Sequence, residues 1–133
     1  AGLCTIYQGL AALDGRVATP ILPSQITGVA LGGEDAAVLT DLAKETLALF
    51  CASLGSVCGD AALTYGATGG VYLGGGIVPR IKDFLMQSDF GARFRGKGLM
   101  ADYMANIPVQ LIVRDSAELA GSAAWLWDRS SNA

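Results

Sequence analysis

The 133-residue sequence contains no histidine. That absence removes the commonest general base and a frequent metal ligand. Three cysteines, Cys4, Cys51 and Cys58, form no CxxC pair. Neither a zinc site nor a disulfide framework is therefore expected, and the cysteines read as small buried hydrophobes of a reducing cytoplasm. Charge is also scarce: 16% of residues are charged, against roughly a quarter in an average domain. Nine Lys and Arg stand against 12 Asp and Glu, for a net charge of −3 and a pI near 4.7. No basic cluster with interleaved aromatics is present, since Arg93, Arg95 and Lys97 are too few, so nucleic acid is excluded as the main partner. The opening AGLCTIYQGL lacks the charged n-region of a signal peptide. The longest uncharged run, residues 61–79, is about long enough to cross a bilayer. Its glycines Gly66, Gly69, Gly70, Gly74, Gly75 and Gly76 would weaken a lone helix, so no membrane span is expected.

What is plentiful is apolar surface. Hydrophobic residues make up 52%, and the mean hydropathy is +0.44. The length suits one domain or a piece of one. The apolar excess has two even readings: a surface normally covered by a partner or by further chain, and an ordinary core rich in Ala and Gly.

Apolar positions Leu3, Ile6, Tyr7, Leu10 and Leu13 follow a helical period, broken at Asp14-Gly15. Residues 16–23 read as a loop. Ser24 reads as the N-cap of a short helix through Ile26, Val29 and Ala30, ended by Gly32-Gly33. Glu34 and Asp35 should open a long central helix through Leu42, Thr46 and Leu49, with a break near Gly55 and a continuation to Leu63. Val71-Tyr72-Leu73 reads as a short buried strand, and Pro79 as the first turn of the next helix. Further helices are expected at residues 90–95 and 99–105, a strand at 109–113, and a last helix through Leu119, Ala123 and Leu126. That last helix would open on a capping box of Asp115 and Glu118.

The candidate chemistry centres on residues 69–80, GGVYLGGGIVPR. A strand ending in Gly74-Gly75-Gly76 before a helix places bare backbone and unpaired N–H groups where an anion or nucleotide can approach. On pattern alone a ligand site and a plain structural turn are equal readings. Gly91-Ala92-Arg93-Phe94-Arg95-Gly96-Lys97 imitates a Walker A loop, yet Gly98 stands where Ser or Thr is required and a helix precedes it. The same glycines imitate a dinucleotide fingerprint, again without a leading strand. No nucleophilic catalytic set is visible. The acids are scattered: Asp83 and Asp89 should face solvent, and Asp60, in the uncharged stretch, is the one expected to be partly buried.

At GGVYLGGGIVPR the sequence resembles the bacterial glucokinase family, a branch of the sugar kinase–actin–chaperone superfamily. The resemblance extends through LALFCASLGSVCGDAALTYGATGG upstream and FGARFRGKGLMADYMANIPVQLIV downstream, and on to RDSAELAGSAAWL and the opening AGLCTIYQGLAALDGR. It implies an α/β, ribonuclease-H-like (actin-like ATPase) domain, helix-rich with few short strands. It also implies that residues 1–133 are the carboxyl-terminal, nucleotide-side portion of a cytoplasmic enzyme that uses ATP with Mg to phosphorylate glucose. Gly75, Gly76 and Ile77 match the family's Gly-Gly-Ile, Gly74 stands where a small residue belongs, and Gly69 and Gly70 match the pair entering the strand. Together they would pack against adenosine. The family's Asp-Gly-Gly-Thr phosphate loop, its catalytic aspartate, its second phosphate loop and its histidine- and glutamate-containing sugar site have no counterpart here. The resemblance thus implies no catalytic or metal-binding residue in this chain, a partner in the missing amino-terminal portion, and a homodimeric parent. Phosphorylation of another hexose, and a non-catalytic binding module, are the alternative readings.

Overall fold

A computed structural model describes residues 2–17, 20–114 and 116–131. Its elements are α1 (Gly2–Leu13), α2 (Pro23–Ala30), α3 (Thr40–Tyr65), β1 (Val71–Leu73), α4 (Lys82–Gln87), α5 (Phe90–Arg95), a 3-10 turn (Gly98–Met100), α6 (Ala101–Ala105), β2 (Val109–Leu111) and α7 (Ala117–Ser131).

The organising element is α3. Leu42, Ala43, Thr46, Leu47, Cys51, Gly55, Gly59 and Ala62 are buried along it, a spacing that keeps one helical stripe inward. Helices α1, α2 and α5 all pack on α3. By length and composition α3 could cross a membrane, but that buried stripe and the three helices against it make it the core helix of this fold. Its start is held by α1: the buried Tyr7 hydroxyl accepts a hydrogen bond from the Leu39 N–H at 2.9 Å. Arg16 reaches Asp41, in the first turn of α3, at 2.9 Å. That contact raises the Arg16 pKa and holds the Asp41 carboxyl below the usual range.

The expected break near Gly55 does not occur; α3 runs unbroken for 26 residues. Gly55 is instead the point where α5 crosses closest. A Cβ there would overlap the Phe90 carbonyl oxygen and lie 3.0 Å from that residue's Cα and carbonyl carbon. Close backbone packing, not a bend, requires the glycine.

Other boundaries shift for local reasons. Helix α2 begins at Pro23, not after Ser24, with Leu22 as its N-cap. The Gln25 side chain bends back to accept the Leu22 N–H at 2.8 Å, and a proline suits the first helical position because its missing donor is not needed there. Glu34 and Asp35 precede α3 without opening it. The Asp35 carboxylate accepts the Ala37 N–H and the Gln25 amide, each at 2.9 Å, and these bonds lower its pKa. The expected capping box rests on Asp115, which lies outside the described residues.

Strands β1 and β2 pair in parallel, Val71 with Val109 and Leu73 with Leu111. Parallel pairing demands a long crossover, supplied by α4, α5 and α6. Val71, Leu73, Val109 and Leu111 join the core cluster, whereas Tyr72 is 62% exposed. β1 is therefore buried on one face only, because no described helix covers the other. β2 ends at Leu111, short of residue 113. Along α7, Leu119, Trp125, Leu126 and Trp127 remain exposed, and Arg129 lies over the Trp125 ring at 4.8 Å.

Candidate functional site: a glycine turn between two arginines

The glycine turn leaves the carboxyl end of β1. Its outward part is bare: Gly74, Gly75 and Gly76 are exposed. Its inward part is anchored, with Val78 and Ile81 buried in the core and Ile77 half-buried against it. The Ile77 carbonyl accepts both the Arg80 N–H at 3.0 Å and the Ile81 N–H at 3.3 Å. That tight turn displaces the expected helix start: residues 78–81 are turns, and α4 begins at Lys82 with Ile81, at φ −102°, as its N-cap. Six residues of helix offer a weak dipole, so the helix-terminus argument for anion binding at Pro79 does not hold.

Gly75 has φ +107°, a conformation that other residues resist. Gly76 is different. It has no positive φ, and a Cβ on it would meet nothing within 4 Å. Neither its backbone nor its packing calls for glycine. Gly76 thus extends the open main chain of the exposed turn.

The strand separates the predicted residues into two groups. Gly69 and Gly70 enter β1, and Gly74, Gly75, Gly76 and Ile77 leave it, with three residues, roughly 10 Å, between. Gly70 has a packing role: a Cβ there would sit 3.0 Å from the Pro108 carbonyl oxygen and 3.1 Å from its Cγ, just where Val71 N–H bonds that carbonyl at 2.9 Å.

A cleft of about 280 Å³ opens over the exit glycines, lined by Gly75, Gly76, Pro79, Arg80, Ile112, Arg114, Ser116 and Ala117. It lies at the carboxyl ends of both parallel strands, where open α/β sheets bind ligands. Ser116, with φ 56°, bends the chain there toward α7. A second cleft of about 280 Å³, lined by Leu22, Pro23, Ser24, Thr27, Ile77 and Arg80, opens on the other side of the turn. The sequence pattern pointed to neither Arg114 nor Ser116; the one available signal was their position directly after a parallel strand. A roomier, largely apolar cleft of about 390 Å³ lies among Leu85, Met86, Phe90, Phe94 and Met104. Lys82 and Arg95 also line it, and it lies apart from the glycine turn.

The remaining candidates lie elsewhere. Asp60, expected to be partly buried, has a 69% exposed side chain and pairs with Lys97 Nζ at 2.7 Å; α3 presents it to solvent at its outer face. Lys97 also donates to the Ser56 carbonyl at 3.0 Å, so it ties the segment just after α5 to α3 and is not a phosphate-loop lysine. Asp83 and Asp89 are exposed, as expected. Cys4, Cys51 and Cys58 are free thiols, and burial raises the pKa of Cys51 and of Cys58.

This arrangement, helices around a parallel strand pair with a glycine turn at its carboxyl end, is that of a sugar kinase of the actin-like ATPase fold. The glucokinase family model matches residues 1–129. The chain belongs to the glucokinase family. It is 49% identical over 125 residues to a glucokinase of Saccharophagus degradans, covering 94% of this chain and 37% of that protein. It is 46% identical over 127 residues to one of Chromobacterium violaceum, covering 96% and 35%. The crystal structure of a glucokinase from an Antarctic psychrotroph superposes with a TM-score of 0.82 at 40% identity, over 96% of this chain and 38% of that one. The chain thus spans little more than a third of the length of the relatives it matches.

Proposed function

We propose that residues 1–133 are the carboxyl-terminal, nucleotide-side part of an ATP-dependent glucokinase, in which the parent transfers the γ-phosphoryl group of ATP to glucose in the cytoplasm. The observation that carries the nucleotide part is the glycine turn at the carboxyl ends of β1 and β2, exposed at Gly74, Gly75 and Gly76 and anchored by the buried Val78 and Ile81. Gly74, Gly75, Gly76 and Ile77 pack against adenosine, and Gly69 and Gly70 seat the strand that presents them. Magnesium has no cage here: among the described residues no three His, Cys, Asp or Glu side chains converge. The parent's metal is held by nucleotide phosphates and by residues outside this chain.

Phosphoryl transfer rests on positioning the donor, stabilising developing charge and orienting the nucleophile with a base. The chain has no histidine and no Asp-Gly-Gly-Thr string, and no carboxylate is among the described residues that line the cleft. Alone it binds one side of the nucleotide and is catalytically silent. Glucose-dependent ADP release by the pure 133-residue chain would refute this. Titrating ATP against the same chain separates the kinase-derived reading from a fragment that binds nothing. Another hexose in place of glucose, or a non-catalytic module, remains the alternative, decided by the sugar specificity of the full-length parent.

The exposed Leu119, Trp125, Leu126 and Trp127 of α7 support a partner in the parent's remaining portion, and a homodimeric parent is part of the same proposal. The isolated chain is then expected to self-associate or to bind a hydrophobic dye. A monodisperse monomer that does neither would sink the covered-surface idea.

A further inference from the structure

Arg80 stands in both clefts that flank the glycine turn, and the two clefts differ in chemistry. One joins Arg80 to Arg114 and Ser116, with no carboxylate in its described lining. The other joins Arg80 to the apolar Leu22, Pro23 and Ile77. There the Thr27 hydroxyl is already engaged by helix carbonyls, 3.1 Å from the oxygens of Pro23 and Ser24. Arg16 and Lys97 are committed to Asp41 and Asp60, and Arg129 lies over Trp125. Arg80 and Arg114, both exposed, pair with no described carboxylate. Each cleft, at about 280 Å³, falls just short of the roughly 300 Å³ at which small-molecule sites begin. Arg80 is common to both linings, so a ligand that spans the two passes over it.

We propose that Arg80 and Arg114 clamp the phosphate attached to the ribose of a bound nucleoside diphosphate or triphosphate, while the apolar cleft on the far side of Arg80 takes the base. The proposal deepens the nucleotide reading above and rests on it. It assigns the two walls opposite duties: charge recognition at Arg114, apolar recognition at Leu22 and Ile77, with Arg80 serving both. The guanidinium fork meets phosphate oxygens in pairs, which a lysine does not reproduce. The γ-phosphoryl group, further along, is left to the parent's own phosphate loops.

Calorimetric titration of the 133-residue chain with adenosine, AMP, ADP and pyrophosphate tests this, on wild type and on Arg114→Gln, Arg80→Gln and the remote Arg93→Gln. ADP should bind at least about tenfold more tightly than adenosine, because charged hydrogen bonds are the strong ones. Arg114→Gln should weaken ADP about tenfold or more and leave adenosine within about twofold. Arg80→Gln should weaken both, Arg93→Gln neither, and added salt should weaken ADP selectively. Circular dichroism melts confirm that the variants, all at exposed positions, stay folded. Equal binding of adenosine and ADP, with ADP indifferent to both cleft substitutions, overturns the clamp and leaves the adenosine turn standing. Pyrophosphate binding as tightly as ADP overturns the role given to the base. A folded chain that binds none of the four overturns the clamp and the nucleotide reading together.

Discussion

Replacing Gly55 by alanine sets local propensity against tertiary packing in one measurement. Gly55 lies inside α3, where alanine is favoured over glycine by about 1 kcal/mol. Against that, the new Cβ would overlap the Phe90 carbonyl oxygen and stand 3.0 Å from the carbonyl carbon and Cα of the same residue. Comfortable carbon contacts begin near roughly 3.5 Å, and the obstacle is backbone, which cannot swing aside as a side chain does. Helix α5 must withdraw, by about 1 Å, and overpacking of that kind reaches the upper end of about 1–3 kcal/mol. The net expectation is a loss of about 2 kcal/mol, or a melting temperature lower by about 7 °C for a chain of this length. Gly9→Ala is the matched control: it is exposed on α1, and its Cβ would meet nothing within 4 Å. It should raise stability by about 0.5–1 kcal/mol, about 3 °C. Far-ultraviolet circular dichroism melts of the two variants and wild type read both numbers. A Gly55→Ala chain that melts at or above wild type would show that α5 does not bear on α3 as described.

Three further outcomes follow from single contacts. The Thr46 hydroxyl is buried with no hydrogen-bond partner among the described residues, so Thr46→Val, of nearly equal shape, should leave stability unchanged or raise it by about 1 kcal/mol; a loss of stability on thermal melting would mean that the hydroxyl has a partner. Lys97→Ala should cost about 1–2 kcal/mol, because its side chain is only 12% exposed and also bonds the Ser56 carbonyl. Asp60→Asn, on the exposed side of the same pair, should cost about 0.5 kcal/mol or less, and equal losses in denaturant titrations would contradict that order. Asp35 and Asp41 have lowered carboxyl pKa values, so their contribution is complete above the unfolded value near about pH 4 and is lost as pH falls through the folded values. Asp41→Asn should flatten that acid limb, with a smaller change in high salt; an acid transition identical to that of wild type would remove Asp41 from it.

Periodicity alone makes legible the helices that carry a continuous apolar stripe. Gly2–Leu13 and Phe90–Arg95 fall where the spacing places them, and β1 falls on its three apolar residues. Legibility fails where a residue answers to something distant in the chain. Gly55 reads as a helix break because glycine is a poor helix former, yet its partner is Phe90 on another helix. Asp60 reads as partly buried because its neighbours in sequence are uncharged. On α3 those neighbours turn to the core at Gly59 and Ala62, while Asp60 turns outward to Lys97. Pro79 reads as a helix start, but the Ile77 carbonyl closes a turn over it first.

The site is legible by halves for the same reason. Gly74, Gly75 and Gly76 declare themselves as a bare turn after a strand, because glycine excludes most other roles in so short a run. What the turn faces is decided by which strand pairs with β1. Leu73 pairs with Leu111, and Ile112 N–H bonds the Leu73 carbonyl at 2.8 Å. That register delivers Arg114 and Ser116, distant in sequence, to the lip of the glycine turn. A slip of one residue would exchange the faces of the paired strand and carry Arg114 away from Arg80. The charge of this cleft is a property of strand register, so it is invisible in a linear reading of either segment. The adenosine-side glycines could be inferred from a motif; the pair of arginines had to be seen across two strands.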